Sequence, residues 1–181
     1  MRVPRYLILL PLAATLIAAA ACDGPAPARS VESQPAFWVG CFAGTKFTGG
    51  GRVDPEGVGK VTFGFNIHAP DCSGDNIKGD IQVVYHATQT LVHSLTEEHF
   101  ASYQDPDRGA CGEWDGTARV KDVYAGTDWT EHHYTVVVCD KAEPGQGADR
   151  ISFYLDNAGD GTHNNVIDQV LTGGNIQAHK S

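Results

Sequence analysis

Residues 60–86 read KVTFGFNIHAPDCSGDNIKGDIQVVYH, and their pattern decides the fold class. Val61, Phe63, Phe65 and Ile67 alternate with Lys60, Thr62, Gly64, Asn66 and His68. After a polar loop, Ile77, Ile81, Val83 and Tyr85 alternate with Lys78, Asp80, Gln82 and His86. A period of two sends one set to a core face and the other to solvent. The stretch therefore predicts an antiparallel hairpin. Pairing its arms about Cys72 sets Val61 opposite Val83, Phe63 opposite Ile81 and Phe65 opposite Gly79. An aromatic ring over a cross-strand glycine is a stabilising device in sheets. A slip of one residue would turn every apolar side chain outward, so the pattern opposes it. The polar face reads as ordinary solvated β-surface.

The same alternation extends both ways along the chain. Upstream, Thr45–Val53 (TKFTGGGRV) predicts a first strand, its three glycines marking a bulge or a close backbone approach. Asp54-Pro55-Glu56-Gly57 is a turn by composition. Downstream, 88–95 predicts a short strand and 96–100 (TEEHF) a connector. Residues 110–140 predict a second long hairpin. Pairing about residue 125 sets Cys111 opposite Cys139, Trp114 opposite Val136 and Gly116 opposite Tyr134. Ala110, Trp114, Ala118, Tyr134, Val136 and Val138 then share one face. Ile151, Phe153 and Leu155 alternate again, 156–165 is a polar loop, and 166–171 and 174–179 supply the last strands. With 21 glycines in 181 residues, the expectation is a single all-β domain. Its layout is a β-sandwich or jelly-roll-like barrel of about nine or ten mostly antiparallel strands.

The N-terminus has the marks of an export signal, expected over residues 1–21. Arg2 and Arg5 are followed by an almost wholly apolar run, Tyr6 to Ala21, ending in small residues. That run is 16 residues interrupted by Pro11, short of the ~20 a spanning helix needs. The boundary Ala19-Ala20-Ala21-Cys22 resembles a bacterial lipobox, although Ala19 stands where leucine is usual. The resemblance implies lipid attachment at Cys22. The alternative is an ordinary secretory signal. Residues 22–36, rich in Pro, Ala and Ser after the cysteine, read as a flexible tether, and the β domain is expected over 37–181.

Four cysteines remain beyond Cys22: Cys41, Cys72, Cys111 and Cys139. An even number in an exported chain predicts two disulfides. The second hairpin favours Cys111–Cys139, leaving Cys41–Cys72 by elimination, with the other connectivities still open. The spacings contain no C-x-x-C pair, which argues against a structural zinc site. Without residues 1–21 the chain carries 11 basic and 22 acidic residues, a formal net charge of −11. Such a surface opposes nucleic acid and anionic membrane surfaces.

The segments GGGRV, GKVTFGFNI, KGDIQVVYH, DKAEPGQGADRISFYL and LTGGNIQAHK, in that order over most of residues 45–179, resemble the post-COAP β-domain of secreted bacterial proteins. The resemblance implies an all-β extracytoplasmic module with no assigned catalytic residues. This chain adds four domain cysteines and stands alone behind its leader.

Candidate chemistry is sparse. His132 and His133 are adjacent, so on a strand they face opposite ways. His86, His93 and His99 are spread over a strand and a loop with no enforced convergence. Asp156 and Asp160 suggest a calcium loop, but Ala158 and Ile167 break the EF-hand pattern. Glu113 and Asp115 on one strand face offer paired carboxylates of the glycosidase kind. Trp129, in a polar turn, is the exposed candidate for ligand or sugar contact, while Trp114 reads as core. Together these features predict a non-enzymatic lipoprotein at the cell surface or in the periplasm, or a secreted protein. It would serve as an interaction or structural module with a protein or carbohydrate partner and a membrane anchor. A carbohydrate- or calcium-binding module is the alternative, and a hydrolase the third reading.

Overall fold

The structure is a computed structural model that describes residues 45–70, 76–156 and 165–179. It contains ten strands: β1 (Thr45–Val53), β2 (Val61–Ala69), β3 (Lys78–Tyr85), β4 (Thr90–Ser94), β5 (Glu98–Asp105), β6 (Gly109–Asp122), β7 (Thr130–Asp140), β8 (Arg150–Asp156), β9 (Val166–Val170) and β10 (Gly173–His179). All lie in the compact unit Ala36–Ser181. The expected all-β domain with mostly antiparallel strands is what forms. Of the two layouts expected it takes the barrel-like one, as a single curled sheet. Among the described residues no helix is long and apolar enough to cross a membrane.

The sheet order is β10-β1-β2-β3-β4-β6-β7-β8-β9, with β5 also paired to β6. β9 and β10 are therefore the two ends of this strand path, yet only Leu171 and Thr172 separate them in the chain. Three Cα steps span at most about 11 Å, so the sheet must curl until its edges approach. The corner bonds to both sides. Leu171 N–H donates to the Asp149 carbonyl at 3.0 Å, and Thr172 N–H to the Arg52 carbonyl at 2.8 Å.

Alternation places the core inside the curl. Trp114, Tyr134, Phe47, Phe153, Ile67 and Ile81 are fully buried, and Phe65 meets Trp114 at 5.5 Å between ring centroids. Burial of each such side chain stabilises by about 1.5–3 kcal/mol.

The second hairpin has the expected register: Cys111 faces Cys139, Trp114 faces Val136 and Gly116 faces Tyr134. The first does not. Val61 faces Tyr85, Phe63 faces Val83, Phe65 faces Ile81 and Ile67 faces Gly79. The arms pair about residue 73 rather than Cys72, a shift of two residues in the partner strand. An even shift leaves every side chain on its expected face, so the alternation alone could not reveal it. Phe65 accordingly lies over a different glycine, Gly49 of β1, where a Cβ would come within 3.0 Å of its ring. Phe47 makes the same kind of contact across the interior, where a Cβ on Gly112 of β6 would come within 2.9 Å of its ring. The glycines thus let large rings fill a narrow interior.

The second correction concerns residues 96–100. The expected connector is the start of strand β5. Ser94 pairs with Ala118, Glu98 with Asp115 and Ala101 with Glu113, so β4 and β5 run in succession along one edge of β6. Each successive pairing is offset by one more residue on the β4–β5 side, the signature of inserted bulge residues. Phe100 and Ser102 are its buried positions, and only one of them is apolar, which is why the segment lacks a legible strand pattern.

Candidate functional site

The outer face of β5, β6 and β7 carries the densest group of chemistry-bearing side chains among the described residues. Adjacent strand residues normally point to opposite faces. At the β5 irregularity this rule is suspended: the register shifts between Glu98 and Ala101, and His99 takes a left-handed φ of 36°. That conformation is costly for a residue with a Cβ. It brings both Glu98 and His99 to Asp115, the cross-strand partner of Glu98. Donor atoms of Glu98, His99 and Asp115 lie within 4.8 Å of one another. His99 Nδ1 is 3.0 Å from Asp115 Oδ1, and His133 Nε2 on β7 is 3.7 Å from Asp115 Oδ2. One carboxyl group thus sits between two imidazoles. Glu98 is oriented from behind, its Oε1 accepting the Thr96 hydroxyl at 3.1 Å. Thr96 is itself held by Thr117, whose backbone N–H donates to Thr96 Oγ1 at 3.0 Å.

Beneath this face the β4–β5 junction, Leu95 and Thr96 exposed and Glu97 half-buried, is tied to the sheet below it. Thr96 lies against Gly116, whose missing side chain leaves room for the Thr96 carbonyl. That carbonyl accepts the buried Tyr134 hydroxyl at 3.2 Å. One carboxyl oxygen of Glu97 and the indole N–H of Trp114 are buried without a hydrogen-bond partner among the described residues. Burial is the main cause that holds the Glu97 carboxyl above its usual range. The charge of Asp80 adds to it, and the nearby Ser94 and Tyr134 hydroxyls oppose it.

The histidines singled out from the sequence go separate ways. His86 bonds the Thr62 hydroxyl at 2.9 Å, His93 packs edge-on against Trp129 at 5.8 Å, and only His99 joins the cluster. His133 and His132 do part, His132 bonding the Thr130 hydroxyl at 2.8 Å. Glu113 is exposed, whereas Asp115 is engaged by both imidazoles, so the suggested carboxylate pair has unlike members. Trp129 is 41% exposed, with the Arg119 guanidinium 5.0 Å and the Lys121 ammonium 6.0 Å from its ring centre. Cations over the ring hold it by cation–π attraction.

Asp156 pairs across to His133 and lines a groove of about 320 Å³ with Thr135, Tyr154 and Asn165. Asp160 lies outside the described residues, as do Cys22, Cys41 and Cys72 and the proposed Cys41–Cys72 bridge. The Cys111–Cys139 disulfide is present, joining directly opposed residues with Cα atoms 4.1 Å apart. A wider groove of about 480 Å³ crosses the outer face of the first hairpin, lined by Thr62, Gly64, Asn66, Asp80, Gln82 and Val84.

Sequence reasoning did not bring together Glu98, His99, Asp115 and His133. Part of the signal was there: the second hairpin's register sets Asp115 opposite Thr135 and Thr117 opposite His133, which makes Asp115 and His133 diagonal neighbours. Nothing in the sequence marks the bulge that adds the other two. No protein-family model, no curated protein and no solved structure matches this chain.

Proposed function

We propose that this chain is an extracytoplasmic lipoprotein, tethered to the membrane through Cys22, whose β domain acts by binding rather than catalysis at the bacterial cell envelope. The observation that carries the reading is the Cys111–Cys139 disulfide. Such bridges form and persist in oxidising compartments outside the cytoplasm. It agrees with the signal-like leader, the lipobox-like Ala19–Cys22 and the strongly acidic composition. The likeness of GKVTFGFNI and LTGGNIQAHK to the post-COAP β-domain supports a module for interaction or structure, with a protein or carbohydrate partner. Mass spectrometry of the membrane fraction is expected to find a diacylglycerol on Cys22. An unmodified or absent Cys22 in the mature chain sinks the lipoprotein assignment and leaves a secreted protein.

A calcium-binding module is the second reading, favoured by Asp156 at the rim of the groove it shares with His133 and Asn165. Calcium is expected to raise the melting temperature if that site is real. A melting temperature indifferent to millimolar calcium removes it.

A further inference from the structure

We propose that Glu98, His99, Asp115 and His133 form a binding site for a divalent transition-metal cation of the zinc type. The inference goes beyond the envelope assignment and does not depend on it. It starts from the donor set, two imidazoles and two carboxyl groups. Imidazole nitrogen suits zinc, copper and nickel, while calcium and magnesium prefer oxygen alone. Zinc binds nitrogen and oxygen at about 2.0–2.2 Å, so donors around a tetrahedral ion stand about 3.4 Å apart. Asp115 Oδ1 lies 3.0 Å from His99 Nδ1, near that separation, and donor atoms of Glu98, His99 and Asp115 lie within 4.8 Å of one another, while His133 Nε2 stands outside that trio, 3.7 Å from the other Asp115 oxygen, Oδ2.

The site has a fixed base and adjustable arms. Asp115 sits mid-strand in β6, 26% exposed, with β5 on one side and β7 on the other. The His99 and His133 side chains are 81% and 50% exposed, with room to swing towards a shared ion. The Thr96 hydroxyl on Glu98 is an outer-shell bond of the kind that orients metal ligands. The bulge is what makes the set possible, since a regular strand would send Glu98 and His99 to opposite faces. A surface with a formal charge of −11 beyond the leader raises the local concentration of cations.

The test is calorimetric titration of the untagged, purified protein with zinc chloride, and with calcium chloride in parallel. Zinc is expected to bind one per chain and calcium far more weakly. His99→Ala and Asp115→Asn should each weaken zinc at least about 100-fold, and His133→Ala about 10-fold. Melting curves without metal check that each variant is folded, as its surface position predicts. Histidine ring signals in NMR give a second readout: those of His99 and His133 should move on zinc addition. The proposal fails if the wild-type protein takes up no zinc, or if calcium binds as tightly. It fails equally if the His99→Ala/Asp115→Asn double variant binds zinc unchanged, or if only other histidines respond.

Discussion

Two regions on the β6–β7 hairpin use the same residue types to opposite ends. At one end, the 140–150 segment meets the free edge of β10. Asp149 is wholly buried there, and its carboxyl oxygens accept backbone N–H groups from Lys141 at 3.0 Å and Ile176 at 2.8 Å. Asp140 accepts from Ala178 at 2.8 Å, and Glu143 binds the side-chain amides of Asn175 and Gln177. The N–H groups of Ile176 and Ala178 point away from β1, so side-chain carboxyls take the place of a neighbouring strand. An unpaired edge is open to association with other chains, and this one is covered. Near the middle of the hairpin, Asp115 keeps a quarter of its side chain exposed and faces imidazoles instead of backbone amides. A carboxyl saturated by backbone N–H groups closes a fold. One left at the surface beside histidines remains available to a ligand.

The sharpest way to break this contrast is to delete both acids. Asp149→Ala is expected to cost about 3 kcal/mol, because a buried N–H left without its acceptor costs about 1–3 kcal/mol and several are affected. Asp115→Ala should stay within about 0.5 kcal/mol without metal, as surface changes do. Urea denaturation of the two variants decides it, and equal losses would erase the distinction. Next comes the disulfide that sits one residue from Asp140. Replacing Cys111 and Cys139 by Ala should cost roughly 2 kcal/mol, the low end for a bridge, because the ladder already aligns the two strands. A lower urea midpoint with a steeper slope would be the signature, since the unfolded chain without its cross-link exposes more surface.

A pH series sharpens the seam itself. Burial is the main cause that raises the Asp140 carboxyl, with the nearby Asp149 and Glu143 adding to it and the Ala178 N–H opposing. A carboxyl that is easier to protonate when folded favours the folded state as the pH falls. The gain begins at the raised folded value and is complete below the ordinary 3.8. Asp140→Asn should reduce that part of the stability profile and leave the share of Glu97, whose carboxyl is raised as well; an unchanged profile would show that Asp140 carries none of it. Asp105 does not confuse the window. Its hydrogen bond from Arg108 holds it below the ordinary value, so its contribution is lost only at still lower pH. The smallest effect is expected at Arg119→Ala, about 0.5 kcal/mol from the exposed cation–π contact with Trp129. Greater exposure of the indole to collisional quenching would accompany it.

Much of this was legible in the chain. β1 was read with its observed limits, and the register of the β6–β7 hairpin followed from its apolar positions together with its cysteines. The seam is half visible: DKAEPGQGADRISFYL and LTGGNIQAHK stand out as separate segments, but nothing in either indicates that they bind each other. The candidate site was less visible still. Asp115 and His133 could be placed from register, whereas Glu98 and His99 lie in a strand with too few apolar positions to announce itself.

The alternation of apolar and polar residues by itself determined that this protein is an all-β domain, and which face of each strand is buried. Period two is a local property, set by backbone geometry at every residue. Three things needed the tertiary structure: the two-residue offset of the first hairpin, the curling that carries β10 to the 140–150 segment, and the bulge that aims His99 at Asp115. Each depends on how distant segments fit in space. A shift of two residues, a rolled sheet and an inserted residue can all leave the local pattern intact, so only packing chooses among them.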